Sequence, residues 1–179
     1  MEQSSPIAAS SRIFLIGFMG TGKTHWGSLW AARHQYLFID LDQEIEQAEQ
    51  SSVLDIFEKR GEDYFRQKEA IMLRSMDKYD NAIIACGGGT ACFFDNITWM
   101  NNKGTTILLH ATPTFILKNI LAQDGKRPLV KNLNEAELIF YIEQKLKERK
   151  EYYELTKLQL ESEFANEESI DSYIIPTEK

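Results

Sequence analysis

Gly17-Phe18-Met19-Gly20-Thr21-Gly22-Lys23-Thr24 has the spacing G-x-x-x-x-G-K-[ST], a pattern able to hold a polyphosphate. Its glycines let the chain curl until successive backbone N–H groups point inward at one anion. A helix starting near Lys23 adds the positive end of its dipole. Lys23 is long enough to reach the β- and γ-phosphates, and Thr24 offers a hydroxyl, a hard oxygen donor suited to Mg²⁺. Gly20, Thr21, Gly22, Lys23, Thr24 and His25 are therefore the expected nucleotide-binding residues. The motif requires a strand before it and a helix after it. The apolar run Ile13-Phe14-Leu15-Ile16 precedes it, and a helical stripe follows. The pattern identifies a nucleoside triphosphate and leaves the phosphate acceptor open.

Phosphoryl transfer asks the protein mainly to align an acceptor and to neutralise charge. Carboxylates and arginines elsewhere in the chain are the candidates. Asp40-Leu41-Asp42 closes the second apolar run. If that segment stays strand-like, both carboxylates point the same way. One would serve Mg²⁺ and the other a substrate hydroxyl, whose proton it could take. The bland alternative is that Asp42 caps a helix starting at Gln43. Arg66 lies between Glu62 and Glu69 at helical spacing. That suits either a surface ion-pair ladder or a guanidinium fork oriented toward a carboxylate. Gly87-Gly88-Gly89 is either a loose turn or a floor of bare backbone beneath a small ligand. Arg127, in the charged stretch Gln123-Asp124-Gly125-Lys126-Arg127-Pro128-Leu129, is an exposed loop residue or an arginine supplied to the phosphates by a closing loop. Arg149, with Tyr153 one turn on, either reaches the site or complements a helix dipole.

The elements that must position these residues are legible as apolar runs. Tyr36-Leu37-Phe38-Ile39, Ala82-Ile83-Ile84-Ala85 and Thr106-Ile107-Leu108-Leu109 join the first run, and Lys157-Leu158-Gln159-Leu160 is a weaker fifth. Short non-alternating runs suit strands buried on both faces of a parallel sheet. Between them Trp26, Leu29 and Trp30 form one helical stripe, and Leu138, Ile139, Ile142 and Leu146 another. The polar stretches 43–60 and 62–76 predict two or three further helices. Alternation of strand and helix predicts an α/β fold in three layers, with ligands at the carboxyl ends of the strands. Gly17, Asp40 and Gly87 all fall there.

Composition narrows the field. The 179 residues carry 20 Lys and Arg against 27 Asp and Glu, a net charge of −7, which argues against a nucleic-acid partner. No apolar run approaches the roughly 20 residues of a membrane span. Two cysteines, Cys86 and Cys92, are too few for a disulfide framework and lack zinc-ligand company. Residues 1–11 have no secretory-signal pattern and are expected to be a flexible lead-in. The end of the chain from Ile170 to Lys179 is expected to be loose.

Taken together, the phosphate loop, Phe38-Ile39-Asp40-Leu41-Asp42, Phe65-Arg66-Gln67-Lys68-Glu69, Gly87-Gly88-Gly89-Thr90, Arg127-Pro128-Leu129 and Arg149 with Tyr153 resemble the shikimate kinase family in order and spacing. The likeness runs from about Arg12 to Ser172. It implies a P-loop kinase fold with five parallel strands in the order 2-3-1-4-5, flanked by helices, with a mobile lid at about 121–132. It implies one domain over 1–179, with substrate-binding helices at about 43–76. It implies transfer of the ATP γ-phosphate to the 3-hydroxyl of shikimate, a step toward chorismate and the aromatic amino acids. Asp42 would bind the hydroxyls and act as base. Arg66 and Arg149 would grip the carboxylate, and Gly87, Gly88 and Gly89 would contact the ring. Arg127 and Lys23 would attend the transferring phosphoryl group, and Thr24 and Asp40 the Mg²⁺. A cytoplasmic monomer is expected. Lys118-Asn119 departs from the family, standing where many relatives carry an arginine pair; Ser28, Lys157, His25 and Trp26 also depart. Rival readings are a kinase for gluconate or a nucleoside monophosphate, and a non-catalytic nucleotide-binding relative.

Overall fold

A computed structural model describes residues 12–122 and 133–173. Five strands, β1 (Arg12–Ile16), β2 (Leu37–Asp40), β3 (Ala82–Ala85), β4 (Thr105–His110) and β5 (Leu158–Glu161), form one sheet in the order β2-β3-β1-β4-β5. Every pairing is parallel. The helices are α1 (Lys23–His34), α2 (Leu41–Glu49), α3 (Val53–Arg60), α4 (Glu62–Ser75), α5 (Asn96–Lys103), α6 (Pro113–Leu121) and α7 (Glu135–Tyr153). Strand order and helical layers agree with the sequence reading.

The alternation of side chains along each strand builds two cores at once. Phe14 and Ile16 of β1 join Ile84, Leu41, Ile45, Phe65 and Leu73 on the face covered by α2, α4 and α5. Ile13 and Leu15 join Ile83, Ile107, Leu109, Trp30 and Ala31 on the face covered by α1. Because both faces are covered, the strands carry continuous apolar runs. Each fully buried Ile or Leu contributes about 1.5–3 kcal/mol. A third cluster, with Phe18, Ile116, Ile120, Leu138 and Ile142, joins α6 and α7 to the phosphate loop.

Two local expectations change. Leu29 is not part of the inward stripe of α1, being 37% exposed. Gly27 takes the sheet-facing position instead, so close that a Cβ there would meet Phe38 at 2.7 Å and Leu15 at 2.9 Å. The expected loose stretch from Ile170 is also tied down over its described residues, 170–173. Ile170 is fully buried among Trp30 and its neighbours, and Asp171 accepts hydrogen bonds from Arg33 at 2.8 Å and His34 at 2.9 Å. The stripe over α1 is thus completed by sequence-distant residues, which no local period reveals. Residues 1–11, 123–132 and 174–179 lie outside the described residues, and with them the expected lead-in, most of the expected lid and Arg127. Among the described residues, no helix is long and apolar enough to cross a membrane.

Candidate active site

The phosphate loop links the carboxyl end of β1 to the amino end of α1. Gly20 and Gly22 have φ of 81° and 83°, left-handed values that a side chain rarely tolerates. Gly22 is the N-cap of α1, whose own first turn contains no acidic residue, and the positive end of the helix dipole faces the loop. Lys23 folds back over the loop, its Nζ donating to the carbonyls of Gly17 at 2.8 Å and Phe18 at 2.9 Å. Thr21 Oγ1 closes the turn by donating to Phe18 O at 2.8 Å. The exposed His25 ring packs edge-on against Trp26 with centroids 4.9 Å apart. The loop forms one wall of a cleft of about 170 Å³; Asp40, Asp42, Gly87 and Gly88 face it.

The pair of aspartates reaches this cleft by a different route from the one expected. The chain turns helical at Leu41, so Asp40 and Asp42 do not share a strand face. Asp40 is the N-cap of α2, accepting from Gln43 N at 3.4 Å, and Asp42 lies in the first helical turn. The capping role therefore belongs to Asp40 rather than Asp42. The other carboxylate oxygen of Asp40 accepts from the Thr24 hydroxyl at 2.9 Å. That contact sets two hard oxygen donors side by side at the amino end of α1, a donor set that suits Mg²⁺. Asp42 presents a buried Oδ1 with no hydrogen-bond partner among the described residues. Burial, with help from Glu69 and Asp40, pushes its carboxyl up to about 7, against the opposing pull of Lys23 and Arg66.

Opposite stands a buried charge network. Arg66 donates to Glu69 Oε2 at 2.8 Å and, through two nitrogens, to Glu62 Oε1 at 3.1 and 3.0 Å. The ladder partners are real, but the ladder runs inward, from the exposed Glu62 to the buried Arg66 and Glu69. Glu69 is fully buried and also accepts from the Thr90 hydroxyl. The Phe93 ring lies 4.5 Å from the Arg66 guanidinium carbon, close enough for cation–π attraction.

The glycine run joins these groups. A Cβ on Gly87 would meet Glu69 at 2.8 Å and Asp42 at 2.9 Å, and one on Gly89 would meet Arg66 Nη2 at 2.7 Å. The run is a floor of bare backbone, not a loose turn. Arg149 Nη1 and the Tyr153 hydroxyl both donate to Gly88 O, at 2.9 and 2.6 Å. Burial raises the Tyr153 phenol to about 12, which keeps it a donor. Arg149 also sits 5.2 Å from the Phe18 ring centroid. Arg66, Gly89 and Arg149 therefore adjoin the cleft through the glycine run rather than lining it.

Several contributors were not legible in sequence. Asn119 Nδ2 donates to Gly20 O at 2.8 Å, and Ser162 Oγ donates to Thr21 O. These partners are 99 and 141 residues apart, beyond any motif. Phe93 carried no signal beyond its proximity to the glycine run.

A three-layer α/β domain with a phosphate loop, a carboxylate beside it and arginines across a glycine floor defines a P-loop kinase acting on a small acceptor. Residues 19–177 match the family model described as shikimate kinase. The shikimate kinase of Phocaeicola vulgatus is 39% identical over 147 residues, covering 82% of this chain and 84% of the relative. The crystal structure of the shikimate kinase from Bacteroides thetaiotaomicron superposes with a TM-score of 0.85 at 34% identity, covering 92% of this chain and 94% of that one. The Acinetobacter baumannii shikimate kinase, solved in complex with shikimate, gives 0.80 at 27% identity over 91% and 89% of the two chains. The chain belongs to the shikimate kinase family.

Proposed function

We propose that this protein transfers the γ-phosphoryl group of ATP to the 3-hydroxyl of shikimate. The observation that carries the reading is the unpartnered Asp42 Oδ1, buried where the phosphate loop faces the glycine floor. Shikimate has one carboxylate and three ring hydroxyls. Asp42 accepts a hydrogen bond from the reacting hydroxyl and takes its proton as that oxygen bonds to the γ-phosphorus; the bond from the γ-phosphorus to the bridging oxygen breaks, and ADP leaves. A carboxyl titrating near 7 is matched to that exchange at neutral pH. Arg66, held by Glu69, and Arg149, held at Gly88, bind the substrate carboxylate. Gly87, Gly88 and Gly89 leave room for the ring. Gly20, Thr21, Gly22, Lys23, Thr24 and His25 bind the nucleotide, with Lys23 exchanging its carbonyl partners for phosphate oxygens. Arg127 is assigned to the same phosphates from the family pattern.

Thr24 and Asp40 are the residues that would hold Mg²⁺, which supplies charge neutralisation at the phosphates. We further propose a single domain over 1–179 whose lid spans about 121–132. The helices at about 43–76, which carry Arg66 and Glu69, serve the substrate. The working form is proposed to be a monomer. The free thiols Cys86 and Cys92 suit the reducing cytoplasm.

The test is coupled ADP release with shikimate, gluconate and nucleoside monophosphates as acceptors, with and without Mg²⁺. Release only with shikimate and only with Mg²⁺ is expected. Release with another acceptor moves the chain to that rival. ADP binding with no acceptor-dependent release favours a non-catalytic relative.

A further inference from the structure

The phosphate loop is gripped from outside by two side chains that belong to neither the motif nor the acceptor pocket. Ser162, only 4% exposed, donates from its hydroxyl to Thr21 O at 2.5 Å. Asn119, on α6, donates from its side-chain amide to Gly20 O at 2.8 Å. In a trans peptide the carbonyl and the following N–H point in opposite directions. Drawing Thr21 O outward to Ser162 therefore turns the Gly22 N–H the other way, and Gly22 lines the cleft. Drawing Gly20 O to Asn119 fixes the preceding peptide, whose Thr21 N–H closes the turn onto Phe18 O. The need for such ties is local. Gly20 and Gly22 sit at left-handed φ and have no side chains of their own to hold a peptide plane. The two braces are themselves linked. Glu163, next to Ser162, accepts from the backbone N–H and hydroxyl of Thr112, the N-cap of α6, at 2.9 and 2.7 Å. Ser162, Glu163, Thr112 and Asn119 thus form one bracket behind the loop.

We propose that Ser162 and Asn119 are positioning residues that preset the phosphate loop for the polyphosphate of the nucleotide. The inference rests on the nucleotide-binding part of the proposed function and is independent of the acceptor. Neither residue lines the cleft. Each fixes a peptide plane, so that loop ordering is complete before binding.

The experiment is calorimetric titration of Ser162→Ala and Asn119→Ala with ADP and Mg²⁺, alongside titration with shikimate and melting curves. Ser162→Ala is expected to weaken ADP binding about fivefold, the loss that accompanies one net hydrogen bond, and Asn119→Ala about threefold. Shikimate affinity should stay within twofold. In amide NMR spectra of Ser162→Ala, the shift of the Gly22 signal on adding ADP should shrink. ADP affinity unchanged in both variants overturns the proposal. Equal weakening of ADP and shikimate also overturns it, since that is general loosening of the fold. Because ADP binding needs no acceptor, a protein that binds ADP tightly yet never phosphorylates shikimate refutes the acceptor assignment and leaves the bracket standing.

Discussion

The two halves of the site are built on opposite plans. The phosphate loop is eight consecutive residues whose donors are mostly backbone, preset by two left-handed glycines and a helix terminus. The half proposed for the acceptor is collected from α2, α4, the glycine run and α7, and its charged groups are already engaged: Arg66 with Glu69 and Glu62, Arg149 with the backbone carbonyl of Gly88. A cradle of peptide dipoles recognises polyphosphate and is indifferent to what receives the phosphate. A buried ion pair such as that of Arg66 with Glu69 is rigid, because displacing either member strands the other charge. On the proposed roles, nucleotide binding and acceptor choice are separable, and substitutions should split along the same line.

The sharpest break is Asp42→Asn. Turnover should fall about 10²–10⁴-fold, the usual worth of a positioned base, with ADP affinity unchanged in titration. Near-normal turnover removes Asp42 from the chemistry. Lys23→Ala should lower kcat/KM for ATP by about 10²-fold or more, through loss of charge-assisted contacts to phosphate, and leave shikimate binding intact; unchanged nucleotide titrations would defeat the cradle argument. Arg66→Ala should raise the shikimate KM about 10²-fold with ADP binding preserved; equal loss of both erases the division drawn above. Gly89→Ala brings a methyl to 2.7 Å from Arg66 Nη2. It should weaken shikimate about tenfold, the order of a modest core overpacking, and spare the nucleotide. The smallest effect is on stability. Asp42 titrates higher folded than unfolded, so the folded state favours its protonated form. Stability from this group is full below the ordinary Asp range near 4 and is lost as pH rises toward 7. Asp42→Asn should therefore melt above the unaltered protein at pH 8, and the gap should close toward pH 4. A gap independent of pH would show that the carboxyl is not perturbed.

Legibility followed the same divide. The loop was readable because its chemistry is contiguous and its flanks must be strand and helix. The sheet was readable because strands covered on both faces must be apolar throughout. Asp42 faces the cleft by another route than the one expected: a helix beginning at Leu41 replaces the strand-like geometry, and Asp40 takes the cap. Arg66 was undecided between surface and site because spacing cannot report burial; only packing against Phe93 and Thr90 with Glu69 settles its surroundings. The roles of Ser162 and Asn119 were invisible because a single hydroxyl or amide acquires them from a partner 141 or 99 residues away. Leu29 was assigned inward because periodicity counts apolar side chains and has no term for Gly27, whose lack of a side chain is what lets α1 approach the sheet.

The fastening of the last described turn onto α1 has a practical side. Trp30 Nε1 donates to Asn166 O at 2.8 Å, Ile170 plugs the surface beside it, and Asp171 ties down Arg33 and His34. The helix so secured is the one whose leading end carries Lys23 and Thr24. Shortening the protein to residue 165 would strip this splint and uncover Trp30. The loss would register at the nucleotide, on the far tip of the same rod, although none of the described residues removed lines the cleft.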